Sequence, residues 1–273
     1  MEIQLWREML DPYAQAVSEL VTKFSNLRQE YRNRGIYCPI ESISGRVKSV
    51  SSILEKMHRK EIPFDRMEED VEDIAGVRII CQFVEDIEKV ASVIEKRQDI
   101  KIRSTKDYLK NQKKSGYRSF HLIVWYTVST ISGPKKLQVE IQIRTMAMNF
   151  WATAEHSLQY KYKGELPEHV AAQLSRTSDV TATLDKEMST VRSEIMDAEI
   201  DSQIQENLVR DILSNIESMY KLENKREAVK IQDEFYRIFT LHDIRELKRF
   251  HDQLDLLAEE YRAQNVETKK SGL

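Results

Sequence analysis

Glycine and proline are scarce in this chain of 273 residues, and neither occurs between Pro167 and Gly272. A stretch of that length without the commonest breakers predicts long helices. Cysteine is scarcer still. Cys38 and Cys81 stand alone, which excludes a disulfide framework and any Cys-based metal spacing and fits a reducing cytoplasm. No apolar run approaches transmembrane length, and charges fill the segment Met1–Glu8 where a signal peptide needs an apolar stretch, so the expectation is an intracellular protein without membrane contact. Charge of one sign is not in excess either. With 42 basic residues against 45 acidic, a net charge of -3 argues against a general nucleic-acid sleeve, and any basic site must be local. Both glycine-rich phosphate cradles, G-x-x-x-x-G-K-[ST] and G-x-G-x-x-G, are missing. A nucleotide here would have to be held by charge-assisted bonds from Lys and Arg, each roughly twice as strong as a neutral hydrogen bond.

What is present suffices for a real core, at 41% hydrophobic residues. Most Gly and Pro fall between residues 35 and 134, marking an α/β part. Strands are predicted at 77–84, 100–104, 119–128 and 137–144, with Ser132-Gly133-Pro134-Lys135 turning the last two into a hairpin. Helices at 4–31, 46–60, 86–96 and 146–163 would cover this sheet. The fold class expected is α/β (α+β), a mixed β-sheet flanked by helices and followed by long C-terminal helices.

Along Val139 to Arg144 the alternation is clean: Val139, Ile141 and Ile143 point one way, Glu140, Gln142 and Arg144 the other. Read as a helix, Arg46 to Lys60 sets Val47, Val50, Leu54 and Met57 against a polar face of Lys48, Ser52, Lys56 and Arg59. A solvated basic face is the bland reading, but three cations in line can bind a triphosphate. Asp73, ahead of the apolar run from Val77, is a turn residue unless a second carboxylate converges on it. Glu140 is the best partner, since Mg²⁺ takes one or two carboxylates plus phosphate oxygens and water; Glu72 should face away. In Gly116-Tyr117-Arg118-Ser119-Phe120-His121, with Lys110, Lys113 and Lys114 nearby, a base can stack on Tyr117 with phosphates held by Lys113 and His121. Gln142 and Asn149 join this second site, and Lys106, Arg144, Glu155 and His156 are further candidates. Met146, Phe150, Trp151 and Leu158 indicate that much of the helix after Thr145 packs the core.

The strings GYRSFH, VEIQIRT and WATAEHSLQYKYKG, with GRVKSVSSILEKMHRK and VEDIAGVRIICQF upstream, resemble the synthetase domain of the RelA/SpoT homologues over roughly residues 40–165. The whole of 1–205 looks like the stand-alone small alarmone synthetases of the RelQ type, which leaves 206–273 as a helical extension. The resemblance implies a nucleotidyltransferase-like fold and transfer of pyrophosphate from ATP to the 3′-hydroxyl of GTP or GDP, giving pppGpp or ppGpp and AMP. It implies that Arg46 and Arg78 sandwich the adenine, that Lys48, Ser52, Lys56 and Arg59 grip the ATP phosphates, that Asp73 and Glu140 are the magnesium-binding and catalytic acids, and that the site around Tyr117 takes the guanine nucleotide. It leaves open whether Glu140 acts as base or through the metal. It also implies a homotetramer with alarmone as an allosteric ligand in a central cleft, although Ser25 and Ser42 stand where related chains can carry a basic and an aromatic residue. Ser104-Thr105-Lys106-Asp107 matches neither the basic nor the acidic form of the segment linked to GTP or GDP preference.

Two rival enzymes share parts of this pattern. A nucleotidyltransferase acting on RNA ends uses the same two-carboxylate logic but calls for a broader basic surface. An alarmone hydrolase could use His242-Asp243 and His251-Asp252, yet in a helical pattern these pairs face nearly opposite ways. Past residue 205, Ile204, Leu208, Ile212, Ile216 and Met219, then Leu247, Phe250, Leu254 and Leu257, keep helical spacing, and Leu184, Met188, Val191 and Ile195 form a heptad-like seam.

Overall fold

The computed structural model describes residues 2–113, 115–162, 167–221 and 225–270. They fall into two compact units, Met1–Thr190 and Val191–Leu273.

In the first unit, β1 (Ser42–Val47), β2 (Ala75–Cys81), β3 (Lys101–Asp107), β4 (Phe120–Thr130) and β5 (Gly133–Thr145) form one sheet in the order β1-β2-β5-β4-β3. β2 and β5 run parallel, and the other neighbours are antiparallel. The alternation along β5 decides what each face does. Val139, Ile141 and Ile143 are fully buried, and with Val77, Ile79, Leu122 and Val124 they meet Ala16, Leu20 and Phe24 of α1 (Glu2–Asn33) and Ile87, Val90 and Ile94 of α4 (Val84–Glu95). Residues paired across a ladder share a face. Arg78 lies opposite Gln142, Gln142 opposite His121, and His121 opposite Lys106, so a polar row crosses β2, β5, β4 and β3. In the adjoining row Glu140 lies opposite Gly76, which lies opposite Arg46. Gly76 brings no side chain, and the space between Arg46 and Glu140 stays open.

Two short helices bring further polar groups to this face. α2 (Val50–Lys60) starts where the Ser49 hydroxyl accepts from the Ser52 amide at 3.3 Å, and it buries Ile53 and Met57. α3 (Met67–Asp70) is pinned to the sheet by Gln138, whose Nε2 donates to the Glu68 and Glu69 carbonyls at 3.0 and 2.7 Å. This fixes the approach of the chain to Asp73. After β5, Thr145 caps α5 (Met146–Lys161) by accepting from the Met148 amide at 3.0 Å, and its own hydroxyl donates to Asp185 of α6 (Glu168–Lys221) at 2.7 Å.

Several local expectations change. Residues 46–49 are not helical: Arg46 lies on β1, a short strand that turns Ile43, Gly45 and Val47 to the core and is held by pairing with β2. Leu54 is exposed while Ile53 takes the buried position, because the helix begins four residues later than expected. The hairpin turn falls at Ile131-Ser132, with Gly133 at φ 104 opening β5. On α5, Met146, Phe150 and Leu158 are exposed, and among its described side chains Met148, Trp151 and Ala152 are buried. Met146 and Phe150 instead line an apolar groove of about 630 Å³ with Phe83, Val180, Leu184 and Met188.

In the second unit, Ile212, Ile216 and Met219 of α6, Ala228 and Phe235 of α7 (Lys225–Phe239), and Leu247 and Leu254 of α8 (Ile244–Lys270) make a separate core. Asn215 donates to Asp255 at 2.6 Å at its edge. His242 is not helical; it stands at φ 54 in the turn between α7 and α8. Among the described residues no helix is long and apolar enough to cross a membrane.

Gly45 marks the closest approach of α1 to the sheet. A Cβ there would lie 2.4 Å from Val17 Cγ1 and 2.9 Å from Val21 Cγ2, both on side chains with little rotamer freedom. Gly45→Ala should therefore destabilise the first unit by about 1–3 kcal/mol through overpacking. Urea denaturation measures the loss, and an unchanged midpoint would show that α1 shifts without strain.

Candidate functional site

The polar face of the sheet opens into a cavity of about 890 Å³. That is near the upper end of the range for one small-molecule site, about 300–1,000 Å³. Nine lysine and arginine side chains line it against five carboxylates. Cations this close repel one another unless acids stand among them, and the acids do.

Asp73 takes two of the cations. Lys48 Nζ donates to its Oδ2 and Lys56 Nζ to its Oδ1, each at 2.7 Å. Lys48 comes from the β1–α2 link and Lys56 from α2, so the pair of bonds draws both segments over the entrance to β2. Burial opposes ionisation of Asp73, but the hydrogen bonds and charges of the two lysines outweigh it and lower its pKa to about 2. Glu72 takes a third cation. It does not face away, because β2 begins only at Ala75 and strand alternation does not govern residue 72; its carboxylate reaches Lys106 across the cavity.

Glu140 lies at the centre. His121 Nδ1 meets its Oε1 at 2.9 Å, and Gln142 Nε2 donates to its Oε2 at 2.7 Å. Burial pushes its carboxyl up, yet these contacts prevail and hold it below the usual carboxylate range, with the charge of Asp73 working against them. His121 Nε2 in turn meets the Tyr117 hydroxyl at 2.9 Å, and that hydroxyl also accepts from Arg144. Tyr117 packs edge-on to Tyr108 and His121, with Lys113 Nζ 4.8 Å and the Arg144 guanidinium 5.0 Å from its ring centre. A base stacking on Tyr117 would take a place a cation now holds. Burial lowers the pKa of Lys113, with Glu140 opposing, and raises that of Glu155, with His156, Lys113 and Arg144 opposing.

The structure gathers Arg46, Lys48, Ser52, Lys56, Arg59 and Arg78 on this cavity together with Lys113, Tyr117, His121 and Gln142, and with Lys106, Arg144, Glu155 and His156. Asn149 is not among the lining residues, and its Oδ1 is buried without a hydrogen-bond partner. Lys114 lies outside the described residues. Glu55, Lys60, Tyr108 and Ser115 line the cavity and were not anticipated. Tyr108 had a usable signal, an aromatic set between Lys106 and Lys110 at a strand end.

The first unit is similar to known proteins over most of its length. A family model described as a region found in RelA/SpoT proteins matches residues 45–165. The GTP pyrophosphokinase YjbM of Bacillus subtilis (strain 168) is 49% identical over 199 residues, covering 73% of this chain and 94% of its own. YwaC of the same organism, also a GTP pyrophosphokinase, is 40% identical over 192 residues, covering 70% of this chain and 91% of its own. Among solved structures, the small alarmone synthetase 1 from Bacillus subtilis bound to its product pppGpp superposes with a TM-score of 0.69 at 50% identity, covering 70% of this chain and 98% of that one.

The Asp73 pairs give a pH signature. A carboxyl titrating near 2 in the folded state, against an ordinary 3.8, contributes stability that is complete above about pH 4 and is lost as pH falls through 2. Asp73→Asn should be less stable than the parent by about 2 kcal/mol at neutral pH, with the gap closing below pH 4. Denaturant titrations across a pH series would expose the contrary case as a gap that does not depend on pH.

Proposed function

The chain belongs to the RelA/SpoT family, and from that premise we infer that it is a GTP pyrophosphokinase, an alarmone synthetase that transfers pyrophosphate from ATP to the 3′-hydroxyl of GTP or GDP and releases AMP. The observation that carries this reading is one cavity in which two half-buried, ionised carboxylates stand among nine cations. Without a glycine-rich cradle, phosphates must be held by those cations. We assign the ATP side to Arg46, Arg78, Lys48, Ser52, Lys56 and Arg59. The guanine nucleotide falls to Tyr117, Lys113, His121 and Gln142.

The 3′-oxygen forms a bond to the β-phosphorus of ATP while the bond from that phosphorus to the AMP oxygen breaks, and the hydroxyl proton is released. Positioning the two nucleotides in line and screening the transferred charge are the demands on the protein. Asp73 and Glu140 fit Mg²⁺, since both are ionised hard-oxygen donors on one cavity and a site of this type uses one or two carboxylates with phosphate oxygens and water. Bound there, Mg²⁺ would supply charge neutralisation on the triphosphate. A carboxylate held below its ordinary range is a poor proton acceptor, which favours charge-holding over base catalysis for Glu140. Binding ATP transfers Lys48 and Lys56 from Asp73 to the phosphates, so no lysine is left without a counter-charge.

We assign the chemistry to residues 1–205 and treat 206–273 as an extension. The two unpaired cysteines support a cytoplasmic setting. Self-assembly into a tetramer is supported by Leu184, Met188, Val191 and Ile195, all exposed at helical spacing.

Asp73→Asn and Glu140→Gln should each abolish alarmone formation in a folded protein incubated with ATP, GTP and Mg²⁺, as read by nucleotide chromatography. Substantial product from either variant would remove that residue from the reaction. Leu184→Glu should lower the mass measured by light scattering, and a parent that is already a monomer at micromolar concentration would refute assembly.

A further inference from the structure

The loop carrying Lys113 and Tyr117 is held from the sheet, where the Tyr117 hydroxyl meets His121 and Arg144, and from two further sides. Internally, the Gly116 amide donates to the Lys113 carbonyl at 2.8 Å and the Lys113 amide to the Tyr117 carbonyl at 3.3 Å. A second restraint comes from α6. Ser178, 3% exposed, donates its hydroxyl to the Gly116 carbonyl at 2.5 Å. One residue on, Asp179 Oδ1 accepts from Arg118 Nη2 at 2.9 Å, and the same guanidinium donates from Nε and Nη2 to Gln112 Oε1 at 3.0 and 2.6 Å. Arg118 thereby ties both ends of the loop to the helix.

The fit is close as well as bonded. Gly116 has φ 89, and a Cβ on it would lie 2.7 Å from Ser178 Cβ and 3.3 Å from Ser175 Cα. Helix and loop leave no room for a side chain between them, so a small shift of α6 is passed directly to the residue before Tyr117. Ser178 and Asp179 lie beyond residue 165, where the family match ends. Neither lines the cavity.

We propose that Ser178 and Asp179 are positioning residues for the acceptor nucleotide: by fixing the loop at Gly116 and Arg118 they set where Tyr117 and Lys113 stand, and α6 thus governs affinity for GTP or GDP separately from ATP. This rests on the assignment of Tyr117 to the guanine nucleotide. The alternative is that both contacts only support the fold, in which case both substrates respond alike or neither does.

Steady-state kinetics of the full chain separate these. Ser178→Ala, which removes the hydroxyl and strands the Gly116 carbonyl, should raise the KM for GTP about three- to tenfold, the worth of one hydrogen bond, and leave the KM for ATP unchanged. Asp179→Ala breaks a partly exposed pair, with Asp179 61% exposed, and should raise the KM for GTP by no more than about fivefold. Asp179→Glu, which keeps the carboxylate, should recover most of that change. The surface variants decide the matter if Ser178→Ala does not fold. Equal rises in both KM values, or none in either, would overturn the proposal while alarmone synthesis by the parent stands. A parent that makes no alarmone removes the functional assignment itself, and this proposal with it.

Discussion

The two lysine bonds to Asp73 are the interaction on which the cavity depends. Nine cations on one concave surface would force the surrounding segments apart, and only acids placed among them let the walls close. Asp73 draws in the β1–α2 link and α2, Glu72 draws in the edge strand β3 through Lys106, and Glu140 holds His121 and Gln142 on the sheet itself. Glu72 and Asp73 thus pair three of the nine cations, and Glu140 orders polar side chains of the sheet itself. The adjacent residues Glu72 and Asp73 divide their lysines between the two edges of the sheet, and this works because both stand in the link between α3, clamped by Gln138, and the start of β2.

The same arrangement explains why a glycine-poor chain can present a phosphate site. Backbone amides in a glycine loop are fixed donors that carry no net charge. Lysine ammonium groups are strong but flexible, and each brings a charge that needs a counter-ion when no ligand is present. Carboxylates supply it in the protein as it stands. A bound triphosphate would supply it instead, so the resting ion pairs and the substrate contacts are alternatives for the same side chains.

Much of this was legible from the residues. The period-two pattern of Val139–Arg144 survives because both neighbours of β5 hold it in the middle of the sheet, where alternation is enforced by a core on one side. The same alternation set Glu140, Gln142 and Arg144 on the cavity. Less was legible where pairing, and not pattern, makes the element. β1 is Ser-Ile-Ser-Gly-Arg-Val, where Gly45 leaves only Ile43 and Val47 to mark the core face, and its ladder to β2 completes it. Its absence from the sequence reading extended the helix back to Arg46 and misplaced Leu54. Glu72 was misread for a related reason, since alternation was carried backwards past the true start of β2. On α5, apolar residues meant two things: Met148 and Trp151 are core, whereas Met146 and Phe150 line a groove with α6, and a single sequence gives no way to tell those faces apart.

That groove is one sign of a wider point about α6. Trp151 Nε1 donates to the Leu174 carbonyl and the Thr177 hydroxyl, both at 3.1 Å, Ser178 holds Gly116, Asp179 holds Arg118, and Asp185 accepts from the residue that caps α5. These contacts fasten the first turns of α6 to α5, to the end of β5 and to the loop before β4, three elements that carry lining residues of the cavity. Burial raises the pKa of Asp185 against the hydrogen bond from Thr145, so an ionised acid at that position carries a cost that the Thr145 bond offsets only in part. A boundary drawn at residue 165, where the family match ends, or at 156, where the last lining side chain stands, would therefore leave the cavity walls without their outer support. The second unit, from Val191, has a core of its own. The contacts that brace the cavity from outside run along α6 as far as Asp185, and they come from side chains that do not line it.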